Sequence, residues 1–273
     1  MLSVILNENH PVPYLSSTLL TGAGGIAHGF STRLGGVSRA PFDSLDLGYN
    51  RGDDPTCVVE NYRRFCAAIG ADHTRVVKSR QIHTDHIRVV TKADLGVGLC
   101  APAPYEADGL ITNVPGLCLT VFTADCVPVL LCDPVAQCVA AVHSGWRSTA
   151  MAIVPKAVAL MASRFGCLPG NILAAIGPAI GGCCFQTQKE VPDAMLATYG
   201  DMAAPFIRPD GPDHFRVDLR SIIAQSLRRA GLSDDHIDVS DHCTACRPDL
   251  YWSHRLVGNA RGSMAAMIQL LSE

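Results

Sequence analysis

A histidine, a cysteine and a second histidine stand at breaks in apolar sequence: His83 in QIHTDH, Cys126 in TADCVPVLL and His143 in AVHSGWR. Each lies at the end of a run that reads as a strand, so the turns can gather nitrogen and sulfur donors at one place in a sheet. Catalytic zinc commonly takes three such protein ligands and keeps a fourth position open. The spacings of 43 and 17 residues match no knuckle or helical repeat, so a second chemistry stays open. In it Cys126 is a nucleophile, His143 its base, and Asp125 or Asp108 the group that orients the imidazole. Asp125 needs an explanation in either case, because a carboxylate beside Val127, Val129 and Leu130 is costly to bury without partners.

The elements that must hold these residues have their own signals. GLCLTVF, VPVLLCD, QCVAAVH and ILAAIG are short apolar runs separated by turn residues, the pattern of strands buried on both faces beneath helices. DDPTCVVENYRRFCAAIG predicts a helix with Asp54 as cap, Pro55 in the first turn, Val58, Tyr62, Phe65 and Ile69 on one stripe, and Gly70 as stop. DLRSIIAQSLRRAG predicts another, capped by Asp218 and ended before Gly231. Ser148 to Phe165 reads as helix too, except that Pro155 must kink it or delay its start. No linker, repeat or low-complexity stretch divides the 273 residues. The expectation is one domain over 1–273 with an α/β (α+β) fold, a mixed β-sheet core flanked by helices.

Composition narrows the partners. With 48% hydrophobic residues there is ample material for a core, and a net charge of −3 with scattered Lys and Arg argues against nucleic acid. No apolar run approaches the ~20 residues that span a bilayer, and the N-terminus lacks a signal-peptide pattern, which predicts a cytoplasmic protein. Twelve cysteines in such a protein are read as thiols rather than disulfides. Cys66, Cys118, Cys132 and Cys138 fall in apolar patterns and act as small hydrophobes. Cys243 and Cys246 in HCTACRP have zinc-knuckle spacing, but no second pair of that type follows, so they read as a turn. Cys183 and Cys184 in GGCCFQ read as part of a pocket wall.

HGFSTRLGGVS, QIHTDH, ADGLIT, TADCVPVLL, AAVHSGWR, IGPAIGGCCFQ and the ending CT…WSHR together resemble the YfiH/LACC1 family, also called the laccase-domain or polyphenol oxidase family and peptidoglycan editing factor. The motifs run in family order from about residue 28 to the C-terminus. The resemblance implies a CNF1/YfiH-like fold and a purine nucleoside phosphorylase that converts adenosine, inosine or methylthioadenosine to free base and ribose 1-phosphate. It also implies adenosine deamination. Two alternatives come with it: copper-dependent oxidation of phenols, and editing of peptidoglycan precursors. Multicopper oxidation needs paired histidine motifs, and only His83 and His143 of the ten histidines are suitably placed.

Carried over by motif, the family's metal triad falls on His83, Cys126 and His143, which implies Zn2+, with copper as the other candidate. Arg33, next to Gly35 and Gly36, and Arg147, four residues after His143, offer the planar forks that suit phosphate. Gln81, which opens QIHTDH, is assigned with them to substrate binding. Asp108 is the expected catalytic acid toward the departing base, a role that needs a raised pKa. The ending WSHRLVGNARG departs from relatives, which carry a second aromatic and paired arginines there, so Ser253, His254 and Arg255 receive no role. The expected partners are a nucleoside and phosphate, with neither nucleic acid nor membrane, in a monomer or small homo-oligomer.

Overall fold

Alternate side chains of the strand Val127–Asp133 serve two different cores, which is why the run is apolar from Val127 to Cys132. Val127, Val129 and Leu131 pack against helices, while Leu130 and Cys132 pack against a second sheet. In the neighbouring strand Cys138–Ser144, Cys138, Ala140 and Val142 face the helices and Val139 and Ala141 the other sheet. A period of two with both faces buried is the structural meaning of such runs. The computed structural model describes residues 4–49, 51–95, 99, 103 and 105–271.

These strands lie in a six-stranded sheet ordered Ile237–Val239, Leu173–Ile176, Val127–Asp133, Cys138–Ser144, Gly109–Thr112, Ile87–Val89. The other large sheet runs Val4–Asn7, Tyr14–Ser17, Ile26–Ser31, Met264–Leu270, Cys118–Thr123, Val76–Val77. Both are mixed: the first has a parallel pair at each edge, the second a parallel pair at one edge only, and the remaining pairs are antiparallel. Leu119, Val121, Ala266 and Ile268 of this sheet meet the first across a shared core. Its far face, through Ala265 and Met267, is covered by the helix Pro55–Ile69 with Tyr62 and Phe65. The far face of the first sheet is covered by helices Ile153–Phe165 and Leu219–Arg229. The result is a helix–sheet–sheet–helix sandwich, the expected mixed α/β fold. A small sheet of Gln186–Gln188, His214–Val217 and Ile207–Pro209 stands beside it.

The predicted helix ends are observed. Asp54 accepts from the Thr56 N–H and Asp218 from that of Ser221, while Gly70 ends its helix at φ 75°. Around Pro155 the chain forms two helices, Trp146–Ala150 and Ile153–Phe165, separated where Ala152 takes φ 57°. Pro155 thus sits in a first turn, where its missing N–H costs no helical hydrogen bond. Cys66, Cys118, Cys132 and Cys138 are all buried among apolar side chains. Among the described residues no helix is long and apolar enough to cross a membrane.

Candidate metal and substrate site

The strands Cys118–Thr123 and Val127–Asp133 belong to different sheets, and Ala124, Asp125 and Cys126 form the crossing between them. The crossing is sharp: Asp125 takes φ 88°, a conformation few residues with a Cβ adopt. It is held from several sides. The Asp125 carboxylate accepts from Thr244 Oγ1 at 2.6 Å, Ser253 Oγ at 3.1 Å and the Arg255 N–H at 2.7 Å, and its carbonyl from the Ile180 N–H at 2.9 Å. The acid beside the cysteine is therefore an anchor that ties the crossing to the C-terminal loop.

Orientation of the two histidines falls to Asp108 instead. Fully buried, it accepts from His143 Nδ1 at 2.8 Å and the His83 N–H at 3.0 Å on one oxygen. Its other oxygen accepts from the Ile82 and Thr84 N–H groups and the Thr84 hydroxyl. Engaging Nδ1 leaves His143 Nε2 as the free ring nitrogen, and the three backbone bonds hold His83 at φ 62°. His83 Nε2 lies 3.7 Å from Cys126 Sγ, the two imidazoles meet edge to face at 4.9 Å, and all three donor atoms lie within 4.8 Å of one another. Gly145 makes room: a Cβ there would stand 2.8 Å from His83 Cδ2 and 3.2 Å from Cys126 Sγ.

Charge follows geometry. Burial by itself pushes the Cys126 thiol up, but the charge and hydrogen bond of His143, with help from His83, bring it down to about 6. Burial pushes His143 down, and Cys126 together with Asp108 raises it to about 9. Each group favours the charged form of the other, thiolate beside imidazolium. Asp108 differs from expectation. Burial pushes its carboxyl up, yet the hydrogen bonds from His143 and the Thr84 and Ile82 backbone outweigh that and hold it below the usual carboxylate range. It lies beneath His143, does not line the cavity, and lacks the raised pKa that the expected role of proton donor needs.

A cavity of about 640 Å³ opens on the triad. Phe122, Trp146 and Phe185 supply aromatic walls, and Arg51, Arg147, Arg255 and Arg261 supply positive charge. Arg147 is exposed, stacks over Trp146 at 4.2 Å and has no ion pair with an acidic side chain among the described residues. Arg261 is 7% exposed, and its Nε has no hydrogen-bond partner among the described residues. Burial, followed by the charge of Arg51, lowers it to about 10.

Two expected substrate residues are otherwise engaged. Arg33 does not line the cavity; it donates to the carbonyls of Asp43 and Pro248, pairs with the Asp43 carboxylate at 3.3 Å and stacks on Trp252 at 3.8 Å. Its fork is spent on joining two loops. Gln81 lines the cavity, but its amide is closed on the Phe122 backbone by bonds of 2.8 and 2.7 Å, which fixes the strand entering the crossing. Of the cationic lining that received no role from the sequence, Arg51 and Arg261 come from loops with no motif beyond a neighbouring glycine, and Arg255 comes from the WSHR ending, in the short helix His254–Val257. His254 and Arg255, left without a role, reach the cavity wall.

The model of a family described as multi-copper polyphenol oxidoreductase laccase matches residues 27–271. A relative named purine nucleoside phosphorylase YlmD, from Geobacillus stearothermophilus, is 38% identical over 248 residues, covering 90% of each chain. Another, purine nucleoside phosphorylase YfiH of Shigella flexneri, is 36% identical over 247 residues, covering 90% of this chain and 95% of the relative. The crystal structure of a Bacillus licheniformis hypothetical protein YfiH superposes with a TM-score of 0.91 at 32% identity, covering 97% of this chain and 98% of the other.

Proposed function

Because the chain belongs to the multi-copper polyphenol oxidoreductase laccase family, among whose members are proteins named purine nucleoside phosphorylase, we propose that it cleaves purine nucleosides with phosphate. One observation carries the reading: a single cavity joins a two-histidine, one-cysteine donor set to guanidinium groups and aromatic faces. The first suits a metal, the second an anion and the third a flat base.

The donor set fits zinc, with two imidazoles and a thiolate held by a carboxylate beneath His143 and open cavity on the remaining side. When bound, zinc supplies Lewis acidity toward phosphate or a water, the latter being what adenosine deamination requires. Multicopper oxidation finds less support. The other group of three or more metal-ligating side chains among the described residues contains no imidazole.

In phosphorolysis a phosphate oxygen bonds to the anomeric carbon as the bond to the base nitrogen breaks, and the electron pair leaves with the base, which takes up a proton. Arg147, free of acidic partners, and the buried Arg261 with its unpartnered Nε hold the phosphate. Phe122, Trp146 and Phe185 receive the purine and keep water from the sugar. Asp108, beneath His143, and Asp125, bonded to Thr244, Ser253 and Arg255, fix His143 and Cys126.

Inosine and adenosine incubated with zinc-loaded enzyme, with and without phosphate, test this. Phosphate-dependent release of hypoxanthine with ribose 1-phosphate supports it. Failure to consume either nucleoside at any metal loading ends it, and faster cleavage of a cell-wall precursor replaces it.

A further inference from the structure

Cys183 and Cys184 lie beside Cys243 and Cys246, with all four sulfurs within 4.8 Å of one another. Cys184 Sγ is 3.3 Å from Cys246 Sγ, and Cys183 Sγ is 3.6 Å from it. A disulfide needs roughly 2 Å, whereas sulfurs around a tetrahedral zinc at about 2.3 Å stand roughly 3.8 Å apart. The pair that seemed missing from the zinc-knuckle spacing precedes it in sequence. We propose that these four cysteines form a second, closed zinc site, separate from the triad and structural in role.

Both halves are built by tight turns. The N–H groups of Cys184 and Phe185 donate to the Gly181 carbonyl at 2.9 Å, which brings two adjacent cysteines round to one side. The N–H groups of Cys246 and Arg247 donate to the Cys243 carbonyl at 3.2 and 3.1 Å, folding Cys246 back over Cys243. The Gly181 N–H donates to Cys243 Sγ at 3.2 Å, a bond that favours a thiolate. Gly181 is needed for the approach, since a Cβ there would stand 3.2 Å from Cys183 Sγ and 2.9 Å from Arg220 Nη2.

Four thiolates on Zn2+ carry a net charge of about −2, which must be offset. Guanidinium groups surround the cluster. Arg216 donates to the Cys183 carbonyl, Arg208 to that of Gly182 at 3.2 Å and Arg255 to that of Cys184 at 3.1 Å. Arg220, buried, donates to the Ser240 and His242 carbonyls at 2.5 and 2.7 Å. Arg216 is also paired with Asp210 at 2.8 Å, while Arg208, Arg220 and Arg255 have no ion pair with an acidic side chain among the described residues, and their positive charge suits a tetrathiolate metal site.

The position gives the site its purpose. Cys184 precedes Phe185, a cavity wall, and Cys243 precedes Thr244, whose hydroxyl holds Asp125 beside Cys126. Zinc there clips the 181–185 and 243–246 turns together behind the triad. The assignment does not depend on the nucleoside reading.

Zinc content of the purified chain, kept reduced and dialysed against zinc-free buffer, is the test. Two zinc ions per chain are expected, falling to one in Cys126→Ser and to one in the double variant Cys183→Ser/Cys246→Ser. Wild-type protein supplies a measurement free of folding effects. Alkylation of the native chain, mapped by mass spectrometry, should spare these four cysteines until a chelator removes zinc. Cobalt substituted into Cys126→Ser should show the intense sulfur-to-metal absorption of a tetrathiolate. One zinc per chain with the four thiols freely alkylated, or a mass two hydrogens low from a Cys184–Cys246 disulfide, overturns the site while leaving the triad untouched.

Discussion

The two groups of metal-ligating side chains stand on either side of Asp125, and they are built differently. His83 comes from the loop between Val76–Val77 and Ile87–Val89, Cys126 from a sheet crossing and His143 from the end of a strand, and a buried carboxylate aims His143 into a cavity. The four cysteines come from two turns and face one another. Mixed donors with one open direction serve chemistry, and four like donors closed on themselves serve shape. Asp125 links the two, bonded to the Thr244 hydroxyl on one side and preceding Cys126 on the other.

The largest expected effect separates the sites outright. Cys126→Ser removes the thiolate from the open site, so phosphorolysis should fall by more than about 100-fold together with one zinc per chain, measured as rate and metal content on one preparation. Retention of full zinc by this variant would remove Cys126 from the ligand set and break the comparison.

Next comes Asp108→Asn. The amide keeps the shape but loses the charge that holds His143, so zinc affinity at the triad and phosphorolysis should drop on the order of 10- to 100-fold, read by competitive zinc titration. A proton donor in that position would instead lower the rate at unchanged zinc affinity.

Two arginines then contrast a substrate group with a scaffold group. Arg147→Lys keeps the charge without the fork, so phosphate use should weaken about tenfold, with metal content and melting temperature unchanged and adenosine deamination affected much less. Arg33→Ala should do the reverse. Leaving the Asp43 and Pro248 carbonyls without their donor should cost about 1–3 kcal/mol in urea unfolding and spare the kinetics of the folded chain. Equal loss of both activities with a lowered melting temperature in Arg147→Lys would move that residue to the scaffold.

The smallest effect is a pH dependence of the fold itself, against which acid release of metal must be read. His28, buried with Nε2 accepting the Ser17 N–H at 3.0 Å, is lowered from 6.5 to about 4 chiefly by burial. The unfolded chain takes up this proton first as pH falls, so stability is lost between 6.5 and about 4 and is unaffected well above 6.5. From pH 7.5 to 6 the loss should be roughly 0.8 kcal/mol greater in the wild type than in His28→Gln, compared by urea unfolding at the two pH values.

What the sequence determined by itself was whatever rests on neighbours along the chain. Period-two burial in Val127–Asp133 and Cys138–Ser144, the caps at Asp54 and Asp218, and the stop at Gly70 are local consequences of side-chain spacing and backbone conformation. The triad was legible only as three strand-end residues plus a resemblance, because donors 43 and 17 positions apart meet through sheet pairing that no local spacing encodes. Tertiary structure alone decided the hydrogen-bond partners of the polar residues. Which of Asp125 and Asp108 orients a histidine was decided only once the crossing put Thr244, Ser253 and Arg255 beside the first and His143 beside the second. Arg33 went to a loop and Arg261 to the cavity for the same reason: a charged group is defined by what surrounds it after burial, and those neighbours lie up to 215 residues away in the chain. The four cysteines show the limit most plainly, since two turns more than fifty residues apart became one cluster only when the strands between them had been stacked.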